Sequence, residues 1–171
     1  MKLLLACAAI IAACLLVGSA SAGTLGVEWH SAKRLTVYDS TSSAIYQQAL
    51  DKALADWGAS PVVGFVPKSG SGCNATDRAI GVCEFSNPDL PLYNWTMIWS
   101  RRLPWIAGAQ VMLNTATTDW TLPQHVYDRT LCHEVGHALG LAHNTRTTSC
   151  MGNGYAPDAQ DFADLEGLYG H

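Results

Sequence analysis

Two hydrophobic rhythms alternate along most of the chain. "RLTVYD" (34–39) places apolar and polar residues in turn, the period of a half-buried strand. "SSAIYQQALDKALADWG" (42–58) carries apolar residues at helical spacing, with serines to cap its start and Gly58 to stop it. "PVVGFVP" (61–67) reads as a second short strand. Residues 68–94, rich in Gly, Ser, Asn and Pro, read as long loops around one short strand, "AIGVCEF" (79–85). "TMIWS" (96–100) and "AGAQVMLN" (107–114) are further strands, separated by "RRLPW" (101–105). "QHVYDRTLCHEVGHALGL" (124–141) is a helix stopping near Gly140, and "PDAQDFADLEGLYG" (157–170) is the last helix. This order predicts an α/β or α+β domain built on a mixed sheet.

The N-terminus follows neither rhythm. Met1-Lys2 precede the apolar run "LLLACAAIIAACLLVG" and the A-x-A signature Ala20-Ser21-Ala22. The run is short for a bilayer span, and a small-residue site follows it directly. Residues 1–22 are therefore expected to be a secretory signal peptide and 23–171 the mature domain, secreted and free of the membrane after cleavage. The runner-up is lipid anchoring through Cys14, which ends the lipobox-like "IAAC".

Composition narrows the class. The 171 residues carry a formal charge of -4 and are 49% apolar, which suits one globular domain, expected to be monomeric. Lys and Arg are few and scattered, which argues against a nucleic-acid partner. Without residues 1–22, Cys73, Cys83, Cys132 and Cys150 remain. An even number in an exported chain implies two disulfides, with three connectivities open. Cys73 and Cys83 are close enough in sequence to staple one loop, which leaves Cys132 with Cys150.

The chemistry concentrates in "HEVGHALGLAH" (133–143). On a helix His133 and His137 stand one turn apart on one face, where two imidazoles can close on one zinc ion. Glu134 can reach a water in the open fourth position without being a ligand. H-E-x-x-H alone also occurs by chance, in helices whose histidines do nothing. Here Gly140 and His143 extend it to H-E-x-x-H-x-x-G-x-x-H, in which a helix-ending glycine lets a third histidine complete the set. His30, His125 and His171 fit no ligand spacing and read as surface residues. The six tryptophans read as core material, with a sugar-binding platform left open for the cluster Trp95, Trp99 and Trp105.

These residues resemble the metzincin metallopeptidases, most closely the matrixin (matrix metalloproteinase) catalytic domain. The resemblance also rests on "SCMGNGY", which sets Met151 eight residues after His143 and Tyr155 four later. It extends to "DAQDFADLEGLYG" and, more loosely, to "AGAQVMLNTATTDWT". It implies a zincin-like fold: a twisted mixed sheet, three main helices and an active-site cleft. It implies a secreted zinc endopeptidase acting on protein or peptide substrates, with one catalytic Zn2+ on His133, His137 and His143, Glu134 as general base and Met151 in a Met-turn. Substrate would lie along an exposed strand edge formed by Trp105, Ile106, Ala107 and Ala109, with Tyr155 in the wall of the S1′ pocket. Arg129, four residues before His133, would either cap that pocket or pair with Asp161 or Asp164.

The departures matter as well. The His- and Asp-rich segment that holds structural ions in vertebrate matrixins is missing, and "NTATTDW" offers one aspartate, which speaks against structural zinc or calcium. A Cys132–Cys150 bridge would tie the helix to the Met-turn, a staple worth roughly 2–4 kcal/mol in small domains. Two other functions compete: a metal-dependent hydrolase of cell-wall peptides, and a non-catalytic binding protein that keeps the metzincin shell. Retention of Glu134 argues against the second. Asn74-Ala75-Thr76 and Asn94-Trp95-Thr96 are glycosylation sequons, meaningful in a eukaryotic secretory route.

Overall fold

A computed structural model of the chain describes residues 23–70, 73, 77–90 and 94–171. The expected signal segment 1–22, with Cys14, and the Asn74 sequon lie outside the described residues. The elements run β1 (Leu35–Ser40), α1 (Ala44–Trp57), β2 (Phe65–Ser69), β3 (Ala79–Phe85), β4 (Asn94–Arg102), β5 (Trp105–Asn114), α2 (Gln124–Ala138) and α3 (Ala159–Tyr169). The five strands form one mixed sheet in the order β2-β1-β3-β5-β4. All neighbours are parallel except β4, which lies antiparallel to β5 at the edge.

Position in the sheet explains each strand's sequence. β1 buries Leu35 and Val37 and leaves Thr36 and Tyr38 half-covered, hence the clean alternation. β3 lies inside the sheet and buries five consecutive residues from Ala79 to Cys83, the near-continuous run of a strand covered on both faces. α1 turns Tyr46, Ala49, Leu50, Ala53, Leu54 and Trp57 inward, and these meet Leu131, Val135 and Ala138 of α2 in a single core. Two indole N–H groups tie that core to the back of α2: Trp57 donates to the Cys132 carbonyl at 2.9 Å and Trp29 to that of Ala138 at 2.8 Å.

Several boundaries differ from the sequence reading. β2 begins at Phe65 because Val62 and Val63, read as strand, fill the core from a turn. β5 begins at Trp105, so "RRLPW" shrinks to a tight turn between two paired strands. Ser43 occupies the N-cap position of α1 but gives its hydroxyl to Glu84 of β3 instead of to the helix. Among the tryptophans, Trp29 and Trp57 are core; Trp95, Trp99 and Trp105 are half-buried and Trp120 is exposed. No helix among the described residues is long and apolar enough to cross a membrane.

The largest correction concerns the strand edge. β5 lies between β3 and β4, so Trp105, Ile106, Ala107 and Ala109 do not form an exposed edge. Their main chain is already engaged: Ile106 donates to the Glu28 carbonyl at 2.7 Å, and Arg78 donates to that of Ala107 at 2.6 Å. At this end of the sheet the edge strand is β4, with β2 at the other. Hydrophobic pattern alone could not order these two strands, since both read simply as apolar strand runs.

α2 stops by a Schellman motif. The Leu141 N–H reaches back to the Gly136 carbonyl at 3.1 Å and the Gly140 N–H to that of His137 at 2.8 Å, with Gly140 at φ +90°. A Cβ at Gly140 would also meet the Val27 carbonyl oxygen. Gly140→Ala is therefore expected to lower stability in urea unfolding by about 1–3 kcal/mol through left-handed strain and the Val27 clash. A variant of unchanged stability would show that the turn is not held as described.

Candidate metal centre

His133 and His137 project from the last two turns of α2, and the turn at Gly140 returns the chain so that His143 meets them. The three Nε2 atoms lie 3.0, 3.0 and 3.1 Å apart. Their roles follow from what the opposite ring nitrogens touch. His133 Nδ1 lies 2.7 Å from the Cys150 carbonyl oxygen, and His137 Nδ1 lies 2.8 Å from that of Leu141. A carbonyl oxygen only accepts, so both Nδ1 atoms carry the proton and both Nε2 atoms present lone pairs. Two lone pairs facing each other at 3.1 Å cannot hydrogen-bond; a cation among them relieves the repulsion. These three histidines are close enough to hold a metal ion, and the carbonyl anchors are the outer-shell partners such ligands characteristically have.

Electrostatics favour the ligating state. Burial lowers the pKa of His133, against the opposing Cys150 carbonyl and with help from Arg129. Burial also lowers that of His137, to about 4, opposed by the Leu141 carbonyl and assisted by His133 and His143. Both rings are therefore neutral at pH 7, as metal binding requires.

The floor beneath the histidines is covalently fixed. Cys132–Cys150 joins α2 to the following loop with a Cα–Cα distance of 6.0 Å, and Cys73–Cys83 closes the second bridge at 5.2 Å. The first bridge places the carbonyl that orients His133. Met151 is fully buried, its sulfur directly beneath Gly136, where any Cβ would overlap it. The loop from His143 to Cys150 is strapped to α3: Arg146 bonds Asp158 at 2.8 Å and Asp161 at 2.5 Å, and Thr148 bonds Asp158 at 2.7 Å. Asp158 and Asp161 in turn form a reciprocal capping box at the start of α3.

Glu134, the next residue after His133, turns towards β4. It is 7% exposed, and the Thr96 hydroxyl donates to it at 2.7 Å. Burial raises its pKa, partly offset by Thr96 and by His143. A cavity of about 490 Å³ opens beside it, lined by Asn94, Val126, Arg129, Thr130, His133 and Glu134. Arg129 thus reaches the cavity. Its guanidinium donates to the Gly152 carbonyl at 3.0 Å, while Asp161 is taken by Arg146. Tyr155 lies outside that lining, about half exposed, its ring edge-on to His125. The Asn94 side-chain oxygen is buried without a hydrogen-bond partner among the described residues, so this sequon faces the cavity, not an open loop. His30 stacks on Trp105, and neither it nor His125 or His171 joins the cluster.

Thr96 and Asn94 were invisible as site residues in the sequence. Nothing in "NWT" marks a strand that will cross in front of Glu134. Their one available signal was the alternation of β4, which places both on one face. Compared with known proteins, the chain matches no protein-family model, and no curated protein aligns with it significantly.

Two outcomes follow. Adding zinc chloride to metal-stripped protein is expected to raise its thermal midpoint by several degrees, and His137→Ala to abolish most of that rise; equal rises in both would remove the metal site. The second concerns acid. Asp158 is held down to about 2: burial opposes this, but the bonds from Arg146 and Thr148 and the Asp161 N–H outweigh it. Because the folded value lies below the ordinary one of 3.8, its stabilisation is complete above about pH 4 and is lost as pH falls through about 2. Asp158→Asn should flatten the acid limb of the stability–pH curve there, and an unchanged limb would contradict the strap.

Proposed function

We propose that the protein is a zinc-dependent endopeptidase of metzincin type, resembling the matrixins. The observation that carries the reading is a convergence at the end of α2: three imidazole Nε2 atoms within 3.1 Å of one another, two of them with lone pairs turned inward, and beside His133 a buried carboxylate that is not part of the set. A mixed sheet, three helices and a cavity beside the carboxylate agree with the architecture that resemblance implies.

His133, His137 and His143 would hold the ion, and zinc there would supply Lewis acidity, making water acidic and drawing charge from a carbonyl oxygen. The remaining work falls to the chain. Glu134 takes the proton of the attacking water and returns it to the leaving amine. Its burial makes the carboxylate a stronger base, and the Thr96 hydroxyl fixes which oxygen stays free. The unpaired edge of β4 offers main-chain groups to an extended peptide, a recognition mode that needs no particular sequence. Arg129 sits in the cavity beside His133, where a long side chain limits depth and favours small or medium apolar residues just after the cleaved bond.

Glu134→Gln is expected to retain zinc at about one equivalent while hydrolysis of casein or a quenched peptide falls by about 10³-fold or more, since a general base is removed without a ligand. Retained hydrolysis in this variant, or cleavage of peptidoglycan but no protein, would reject the reading.

A further inference from the structure

A second cavity lies at the far end of the β4–β5 hairpin. It has a volume of about 480 Å³ and a buried apolar floor that includes Trp29, Leu35 and Ile106. One wall is the His30–Trp105 pair, stacked with ring centroids 4.0 Å apart and planes within 7°. Around the mouth stand four arginines, Arg34, Arg78, Arg101 and Arg102, of the ten Lys and Arg in the chain. The sequence scatters these cations; the fold gathers them. Asp77 pairs with Arg101 at 2.5 Å, while Arg34, Arg78 and Arg102 form no ion pair among the described residues. Such concentration of one sign on a chain of net charge -4 sets up a local field that attracts anions. Arg78 is also the one non-glycine among the described residues held at positive φ, at +59°, pinned by its N–H to Ala107. Left-handed backbone at a bulky residue costs energy, and such outliers gather at binding sites.

We propose that this cavity binds acidic peptide segments, receiving carboxylate side chains on Arg78, Arg102 and Arg34 and an adjacent apolar side chain against Trp105. Three features favour a peptide over another anion. Guanidinium groups match carboxylates in planar, bidentate geometry. The apolar floor and aromatic wall suit a ligand that mixes charge with hydrocarbon, unlike a uniformly charged polymer. The third is continuity: β4 runs from Thr96, at Glu134, to Arg101 and Arg102, at the cavity, five residues or about 17 Å along one free edge. A peptide laid on that edge reaches both. Combined with the proposed peptidase activity, the cavity would select substrates with acidic residues several positions from the cleaved bond; the binding itself does not depend on the reaction.

The test uses the mature Glu134→Gln protein, so that peptide stays uncut whichever way the reaction reading turns out. A fluorescein-labelled ten-residue peptide of alternating Glu with Leu and Tyr is compared by anisotropy with its Gln-for-Glu counterpart. The acidic peptide is expected to bind at least about tenfold tighter at low salt, with the ratio shrinking at physiological salt. Arg78→Gln/Arg102→Gln should lose about that factor, and Arg34→Gln part of it, with no change in thermal midpoint, since all three side chains are exposed. Equal affinity for the two peptides, or undiminished binding in the double variant, would overturn the proposal. So would displacement of the peptide by heparin at lower molar concentration than by unlabelled peptide, which would mark a polyanion surface instead.

Discussion

Three imidazole Nε2 atoms converge on one centre, 3.0–3.1 Å apart, and the lone pairs that His133 and His137 turn into it repel each other, a repulsion that a cation among them relieves. Rings free to rotate would escape this arrangement. Here His133 and His137 cannot, because each spends its Nδ1–H on a main-chain carbonyl that is itself fixed. The protein therefore holds its metal-binding geometry in advance, and pays for it with stability drawn from elsewhere in the fold.

The sources of that stability can be named. The Cys150 carbonyl is placed by the bridge to Cys132, one residue before His133. The Leu141 carbonyl is placed by the Schellman turn at Gly140. The return loop that carries His143 is held to α3 by Arg146 through Asp158 and the buried Asp161. Met151 fills the space beneath Gly136, and the Trp57 indole closes the same layer while bonding the Cys132 carbonyl. Glu134 lines the same cavity as His133, buried and with the Thr96 hydroxyl as its side-chain hydrogen-bond donor.

Local signals in the sequence carried far. The spacing from His133 to His143 encodes a helix turn, a glycine stop and a reversal, all short-range events, so the cluster could be read before any tertiary contact was known. The two disulfides followed from one short loop pairing and the remainder. What escaped depended on long-range order. Which of two apolar strands becomes the edge is decided by pairing across the whole sheet, so Trp105–Ala109 looked like a free edge and Asn94–Arg102 did not. The gathering of Arg34 with Arg78, Arg101 and Arg102 likewise joins segments more than forty residues apart. Tryptophans gave no warning of their burial, because a half-covered indole and a core indole read alike.

The most direct test of the account is to titrate metal-stripped protein with zinc while following hydrolysis of a quenched peptide. Activity is expected to rise in proportion to added zinc and to break sharply at one equivalent per chain, as the three-histidine site is filled. Hydrolysis that persists in the stripped protein, or zinc binding at one equivalent with no activity at all, would contradict it.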